Sequence, residues 1–242
     1  MKKTIVITGA SRGIGKAIAI ELAGKDTNIV INCVNNVDKL NEVKSIIEEK
    51  GSVCETFIGD MGNYSDVQKM FDICLQRFGQ VDVLINNAGI SVVGLFQDMG
   101  EDEWHRICNT NIDSVFNCCH FAVKDMMKRH CGKIINISSV WGLYGASCEV
   151  AYSATKGAVN SFTRALAKEL APSGIQVNAI ACGAIDTEMN GHLSNDDKAE
   201  LAEEIPAGRF GSPQEVAELV KSLSGMNSYL TGQIITLDGG WI

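Results

Sequence analysis

The sequence predicts an α/β fold: one domain on a doubly wound parallel sheet of about seven strands, with helices on both faces. Three observations point there. Short β-branched or apolar runs alternate with amphipathic stretches along the whole chain, the rhythm of strand–helix–strand units. Those runs are apolar at nearly every position, as strands buried on both faces require. The 242 residues contain no linker-like tract, repeat or low-complexity segment, which suits a single domain over residues 1–242.

The elements follow in order. Residues 4–8 form a β-branched strand, then a glycine turn, then a helix to residue 23. A second strand is expected over 28–34 and a helix over 38–50, with Gly51 as its stop. The third strand, 53–58, runs toward Asp60. Ser65 is expected to cap a helix reaching Gly79. The fourth strand, 81–85, closes in Asn86-Asn87-Ala88-Gly89. A helix spans 102–129, broken near residues 109–111, and a fifth strand covers 133–138. The helix over 150–170 carries Tyr152 and Lys156, and the sixth strand is 175–181. Helices over 194–204 and 213–224 precede a last strand at 233–237. In such sheets ligands bind beyond the carboxyl ends of the strands. Gly9 to Gly15, Asp60, 86–89, Ser139 and Gly183 should therefore meet along one edge.

Composition excludes several classes. The net charge of −8 argues against nucleic acid or an anionic membrane as the main partner. Nine cysteines, an odd count with no CxxC and several inside apolar runs, fit a reducing cytoplasm better than a disulfide framework. His105, His120, His130 and His192 show no metal-ligand spacing, so no metal is expected. Lys2-Lys3 before a short apolar run is no secretory signal. No segment approaches membrane-spanning length.

Gly9, Gly13 and Gly15 lie between the first strand and first helix, spaced GxxxGxG. Glycines there let the backbone approach a pyrophosphate held by free N–H groups at the helix start. This is the dinucleotide-binding arrangement of Rossmann-type sheets. The second strand ends Asn32-Cys33-Val34-Asn35-Asn36 with no acid for a ribose 2′-hydroxyl. Arg12 could instead meet a 2′-phosphate. The expected cofactor is NADP(H) in preference to NAD(H).

Tyr152 and Lys156 are four apart and share one helix face. A free phenol has a pKa of about 10. A fixed ammonium beside it favours the phenolate, so the pair can exchange a proton with a reacting oxygen. Ser139 sits at a strand end and could hydrogen-bond the same oxygen.

Thr8-Gly9-Ala10-Ser11-Arg12-Gly13-Ile14-Gly15, Asn86 to Gly89, Asn111, Ser139 and Tyr152-x-x-x-Lys156 together resemble the short-chain dehydrogenase/reductase family. The likeness runs from Lys3 to the Asp238-Gly239-Gly240-Trp241 terminus. It implies catalytic roles for Asn111, Ser139, Tyr152 and Lys156. Tyr152 would protonate the carbonyl oxygen, Ser139 would hold it, and Lys156 would lower the phenol and bind the nicotinamide ribose. Ser138 is the rival serine; the family pattern favours Ser139. Asn111 would anchor a water between Lys156 and solvent. Cofactor contacts are implied at Gly9, Ser11, Arg12, Gly13, Ile14, Gly15, Asp60, Met61, Asn87, Ala88, Gly89, Tyr152, Lys156, Gly183, Ile185 and Thr187. Family members are usually tetramers, so a homotetramer is expected.

Within the family, Ile205-Pro206-Ala207-Gly208-Arg209-Phe210-Gly211 and Leu230-Thr231-Gly232-Gln233 resemble bacterial 3-oxoacyl-acyl-carrier-protein reductases. The implied substrate is a keto group, free or on a carrier, with acyl carrier protein as partner. Two departures stand out: Cys182 replaces the usual Pro before Gly183, and Ser173 replaces a basic residue, while Lys128-Arg129 keeps a second basic patch. The run from Ser139 to Val150, with 167–174, resembles reductases of a 5-aminopentanone group on elongation factor P. An acidic lid over 186–210 and Glu149 beside Tyr152 suit such a cationic substrate. A non-catalytic NADP(H)-binding scaffold on the same fold is the reading from another class.

Overall fold

A computed structural model describes residues 2–191, 193–225 and 229–242; His192 lies outside them. Seven strands form one sheet: β1 (Lys3–Ile7), β2 (Thr27–Cys33), β3 (Val53–Ile58), β4 (Val83–Asn86), β5 (Gly132–Ser139), β6 (Ile175–Cys182) and β7 (Ile234–Leu237). Their order is β3-β2-β1-β4-β5-β6-β7, with every neighbouring pair parallel. The chain winds outward from β1 to β3, returns beside β1 as β4, and winds out the other way. The switch point lies between β1 and β4, the place where sheets of this kind take ligands beyond the strand ends.

Alternation along the strands feeds two cores. Ile5, Ile7, Ile29 and Ile31 face one side. There they pack on α1 (Gly13–Glu21), α2 (Val37–Glu49) and α9 (Pro213–Gly225). Val6, Val30, Leu84, Ile134 and Val177 face the other side. They meet α3 (Tyr64–Phe78), α5 (Ser114–Arg129) and α7 (Val150–Leu170). The central strands β1, β4, β5 and β6 are thus buried on both faces, which explains their apolar runs, while the edge strands β3 and β7 are only partly covered. Three further helices are α4 (Glu101–Cys108), the one-turn α6 (Trp141–Tyr144) and α8 (Asn195–Glu204).

Several boundaries differ from expectation for local reasons. Asn63, not Ser65, caps α3, its side chain accepting from the amides of Ser65 and Asp66. β4 starts two residues late because side chains of α5 claim Val81. Asp125 accepts from its amide at 2.9 Å, and Arg129 donates to its carbonyl. The helix expected over 102–129 is interrupted by a π-helical turn at Asn109–Asp113. Gly51 follows the end of α2 with φ of 98°, and Ser194 caps α8 in a capping box with Asp197. No described helix is long and apolar enough to cross a membrane.

Candidate active site

The crevice floor is a knot between two turns. After β1 the chain turns at Gly9, whose φ of 65° is a left-handed conformation that favours glycine. Thr8 Oγ1 accepts from the amides of Asn87 and Ala88, each at 3.0 Å. The Asn87 amide group donates back to Thr8 O and Gly9 O at 3.0 and 2.9 Å. A Cβ on Gly15 would collide with Gly9 O and Asn87 Nδ2. That position must be glycine for α1 to start so close to the β4 turn.

No side chain caps α1; Arg12 holds the cap position with an extended backbone. The first-turn amides of a helix need an outside acceptor when uncapped, and they attract anions. A bare glycine backbone, an uncapped helix start and nearby cations fit the phosphates of a dinucleotide. Ser11 is buried and Ile14 packs on the core, so Ile14 could serve such a ligand only through its backbone.

Other expected cofactor positions fall on the same edge. Asp60 follows β3; one carboxylate oxygen accepts from Gly62 N at 2.9 Å and the other from Asn109 Nδ2 at 3.2 Å. Met61 and Ile185 turn their side chains into the core, so their contribution is limited to backbone. Gly183 lies against Asp238, with no space for a Cβ. Thr187 sits next to Gly13, its methyl 3.6 Å from where a Cβ there would be.

The expected proton-transfer pair lies on α7. α7 carries Tyr152 and Lys156 on one face beside the end of β5. The Ser139 hydroxyl lies close enough to the Tyr152 phenol to favour its ionised form, and its Oγ accepts from Trp141 N at 3.2 Å. Ser138 points elsewhere, bonded to Asn160 Oδ1 at 2.7 Å. Asn160 in turn donates to Gly142 O at 3.1 Å, tying α6 to α7. Strand alternation thus separates the two serines: Ser139 faces the tyrosine, Ser138 the scaffold.

Lys156 is 5% exposed. Its ammonium donates to Ile137 O at 2.9 Å and lies 5.6 Å from the Tyr152 ring centroid. Burial lowers it to about 8, against a small raising influence of Cys182. The expected lowering of the Tyr152 phenol does not result from the protein's own groups. Burial raises the phenol strongly, Cys182 and Glu149 raise it further, and only the Ser139 hydrogen bond opposes them. Buried beside a neutral hydroxyl, the phenol stays protonated at neutral pH. Burial also pushes the Cys182 thiol up to about 12, so that side chain packs as an unreactive thiol.

Asn111 explains the π turn. Its side chain, 1% exposed, accepts from Ile90 N at 2.8 Å and donates to Ile90 O at 2.9 Å and Thr155 Oγ1 at 3.1 Å. It pins the segment after β4 to α7. A Cβ on Gly89 would stand 3.4 Å from Lys156 Nζ and 3.5 Å from Asn111 Oδ1. The glycine therefore keeps a small space between the amine and the amide.

Three groups escaped sequence reasoning. Thr8 was visible inside the glycine motif, but its hydroxyl's task appears only in three dimensions. Lys39 and Glu188 had no pattern to mark them. Arg12 Nη1 meets Glu188 Oε2 at 2.7 Å, and Lys39 Nζ meets Oε1 of the same carboxylate at 2.9 Å. One expected patch is corrected. Arg129 is committed to Asp82 and Asp125, each at 2.9 Å, and to Val81 O; it is not a free surface cation. Among the described residues, no group of three His, Cys, Asp or Glu could hold a metal ion.

Comparison with known proteins shows the family and the fold. The family profile described as short chain dehydrogenase matches residues 3–198. The chain is 39% identical over 241 residues to the 3-oxoacyl-[acyl-carrier-protein] reductase FabG of Staphylococcus epidermidis, covering 99% of each chain. It is equally similar to the same enzyme of Staphylococcus aureus, covering 98% of that protein. The enzyme of Chlamydia trachomatis is 36% identical, with 97% covered. Among solved structures, "ElxO with NADP Bound" superposes with a TM-score of 0.91 at 32% identity, covering 100% of this chain and 99% of that one.

Proposed function

Because the chain belongs to the short-chain dehydrogenase/reductase family, and is thereby an NAD(P)-dependent oxidoreductase of ketone or hydroxyl groups, we propose that it reduces a 3-oxoacyl thioester on acyl carrier protein with NADPH. The observation that carries the reading is the Ser139–Tyr152 hydroxyl pair backed by a buried Lys156. The relatives' printed activity supports the substrate class. The printed ligand of ElxO supports the cofactor.

The nicotinamide, when bound, supplies the hydride. Gly9, Gly13 and Gly15 with the first amides of α1 would hold its phosphates, Arg12 the 2′-phosphate, and Asp60 and the 87–89 segment the adenosine side. Gly183, Ile185 and Thr187 would serve the nicotinamide end. Ser139 orients the substrate oxygen. Tyr152, protonated at neutral pH, donates its proton to that oxygen as negative charge develops there. Lys156 stabilises the phenolate left behind, and Asn111 with Gly89 keeps open the space through which water can recharge it. With nine free thiols, the chain suits a reducing cytoplasm. Phe116 and Trp104, exposed on α5 and α4, would be covered in a homotetramer.

A second reading is reduction of a peptide-borne aminopentanone. One observation favours it: the Glu149 carboxylate, held by the Ser91 hydroxyl, is near enough to raise the Tyr152 phenol and so to attract a substrate cation. The test is spectrophotometric NADPH oxidation with acetoacetyl-acyl carrier protein and with a 5-aminopentanone peptide in parallel. Turnover of the thioester alone supports the first reading and of the peptide alone the second. Failure with both, although NADPH binds, leaves the non-catalytic scaffold.

A further inference from the structure

Arg12 precedes α1, Lys39 lies in the first turn of α2, and Glu188 follows Thr187 beyond β6. They are brought together across chain separations of 176 and 149 residues. Each cation takes a different oxygen of one carboxylate, at 2.7 and 2.9 Å. The cations sit in the glycine loop and at the helix after β2, where sheets of this type read the ribose 2′ substituent. We propose that Glu188 is an internal stand-in for the cofactor's 2′-phosphate, which binds by exchanging with that carboxylate. This rests on the NADP(H) reading above.

The chemistry of exchange favours the phosphate. It carries more charge and more acceptor oxygens than a carboxylate, and both cations form charge-assisted bonds to it. A 2′-hydroxyl brings no charge to replace Glu188, so NAD(H) leaves the carboxylate where it is. The turn Glu188–Asn190 is anchored by Asn190 Nδ2, which donates to Ile185 O at 2.7 Å, while Thr187 packs on Gly13. The carboxylate is therefore always presented to the two cations at high local concentration. With its side chain 53% exposed, Glu188 can leave by rotating into solvent. Among the described residues no other carboxylate is paired with Arg12 or Lys39, and the phosphate fills the role that Glu188 leaves. Glu188 thus acts as a competitor that specifically lowers affinity for the phosphorylated cofactor.

Isothermal titration of adenosine 2′,5′-bisphosphate and of 5′-AMP tests this with wild type, Glu188→Gln and Lys39→Gln. Glu188→Gln should bind the bisphosphate about three- to tenfold tighter, the range expected for releasing two exposed ion pairs, and 5′-AMP within twofold of wild type. Lys39→Gln should weaken the bisphosphate and not 5′-AMP. If wild type prefers the bisphosphate but Glu188→Gln binds it no tighter, or tightens both ligands alike, the exchange is overturned. If wild type shows no preference for the bisphosphate, the NADP(H) reading fails, and the exchange fails with it.

Discussion

Lys156 is held at a cost that the rest of the molecule must offset. Its pKa falls from 10.5 to about 8 because burial disfavours the charged amine; at about 1.4 kcal/mol per unit this is on the order of 3 kcal/mol. Below pH 8 both folded and unfolded chains carry the proton, so the penalty is fully present. Between about 8 and 10.5 the unfolded chain binds more protons than the folded one, so stability rises with pH across that window. Lys156→Met should therefore be more stable than wild type at pH 7, by on the order of 1–3 kcal/mol. The gap should shrink as pH rises from 8 to 10 in urea titrations at stepped pH, and a gap that stays constant would mean that charge burial is not its source. The same ionisation should appear in catalysis. Burial keeps the Tyr152 phenol protonated through this range, so kcat/KM for ketone reduction should fall above pH 8 as Lys156 loses its charge. Tyr152→Phe should lose at least about a hundredfold in kcat while retaining NADPH affinity by fluorescence titration; undiminished turnover would remove the phenol from the acid role.

At the scale of elements, the segment 86–90 is held from two sides, by the Thr8 hydroxyl below and the Asn111 amide above. Each tie satisfies two backbone groups, and leaving a buried polar group unpaired costs about 1–3 kcal/mol. Thr8→Val and Asn111→Ala should each lower unfolding free energy by about 2 kcal/mol and weaken NADPH binding. Because both hold one short loop, the double variant should lose about 1 kcal/mol less than the sum. Strict additivity in denaturant titrations would show that the two ends move independently. These ties also mark where sequence reading reached and where it stopped. The glycines at 9, 13 and 15, the Tyr152–Lys156 pair and the seven strands are local patterns, so spacing along the chain exposed them. The choice of Ser139 over Ser138 rested on family likeness; strand alternation beside α7 supplies its physical reason. The raised phenol was missed because burial is a sum over distant atoms, whereas the Lys156 charge is one helical turn away and easily seen. The family likeness implies a water-anchoring role for Asn111; its place in a π turn and its grip on Ile90 belong to tertiary structure.

For the whole molecule, net charge governs how an acidic carrier would meet this enzyme. The chain has a net charge of −8. Sequence alone suggested a basic pair, Lys128-Arg129, as a docking patch. Folding spends Arg129 on Asp82 and Asp125 at the amino edge of the sheet, where it holds α5 against the start of β4 through Val81. Lys128 remains exposed, and position 173 is serine rather than a base. Two exposed lysines on α5, Lys124 and Lys128, against a net negative surface give little electrostatic steering. On the proposed thioester reading, recognition must then come from the crevice, not from long-range attraction. The expected outcome is that acetoacetyl-acyl carrier protein and acetoacetyl-pantetheine have kcat/KM values within about tenfold of each other. A strongly steered pair would instead gain up to three orders of magnitude in association rate. Salt should discriminate further, since raising ionic strength from about 0.01 to 0.15 M shortens the screening length from about 30 to 8 Å. With repulsion dominant, kcat/KM for the carrier-borne substrate should hold steady or rise over that range. A steep fall with salt would reveal a cationic docking face, and Lys128→Gln would then show whether Lys128 belongs to it.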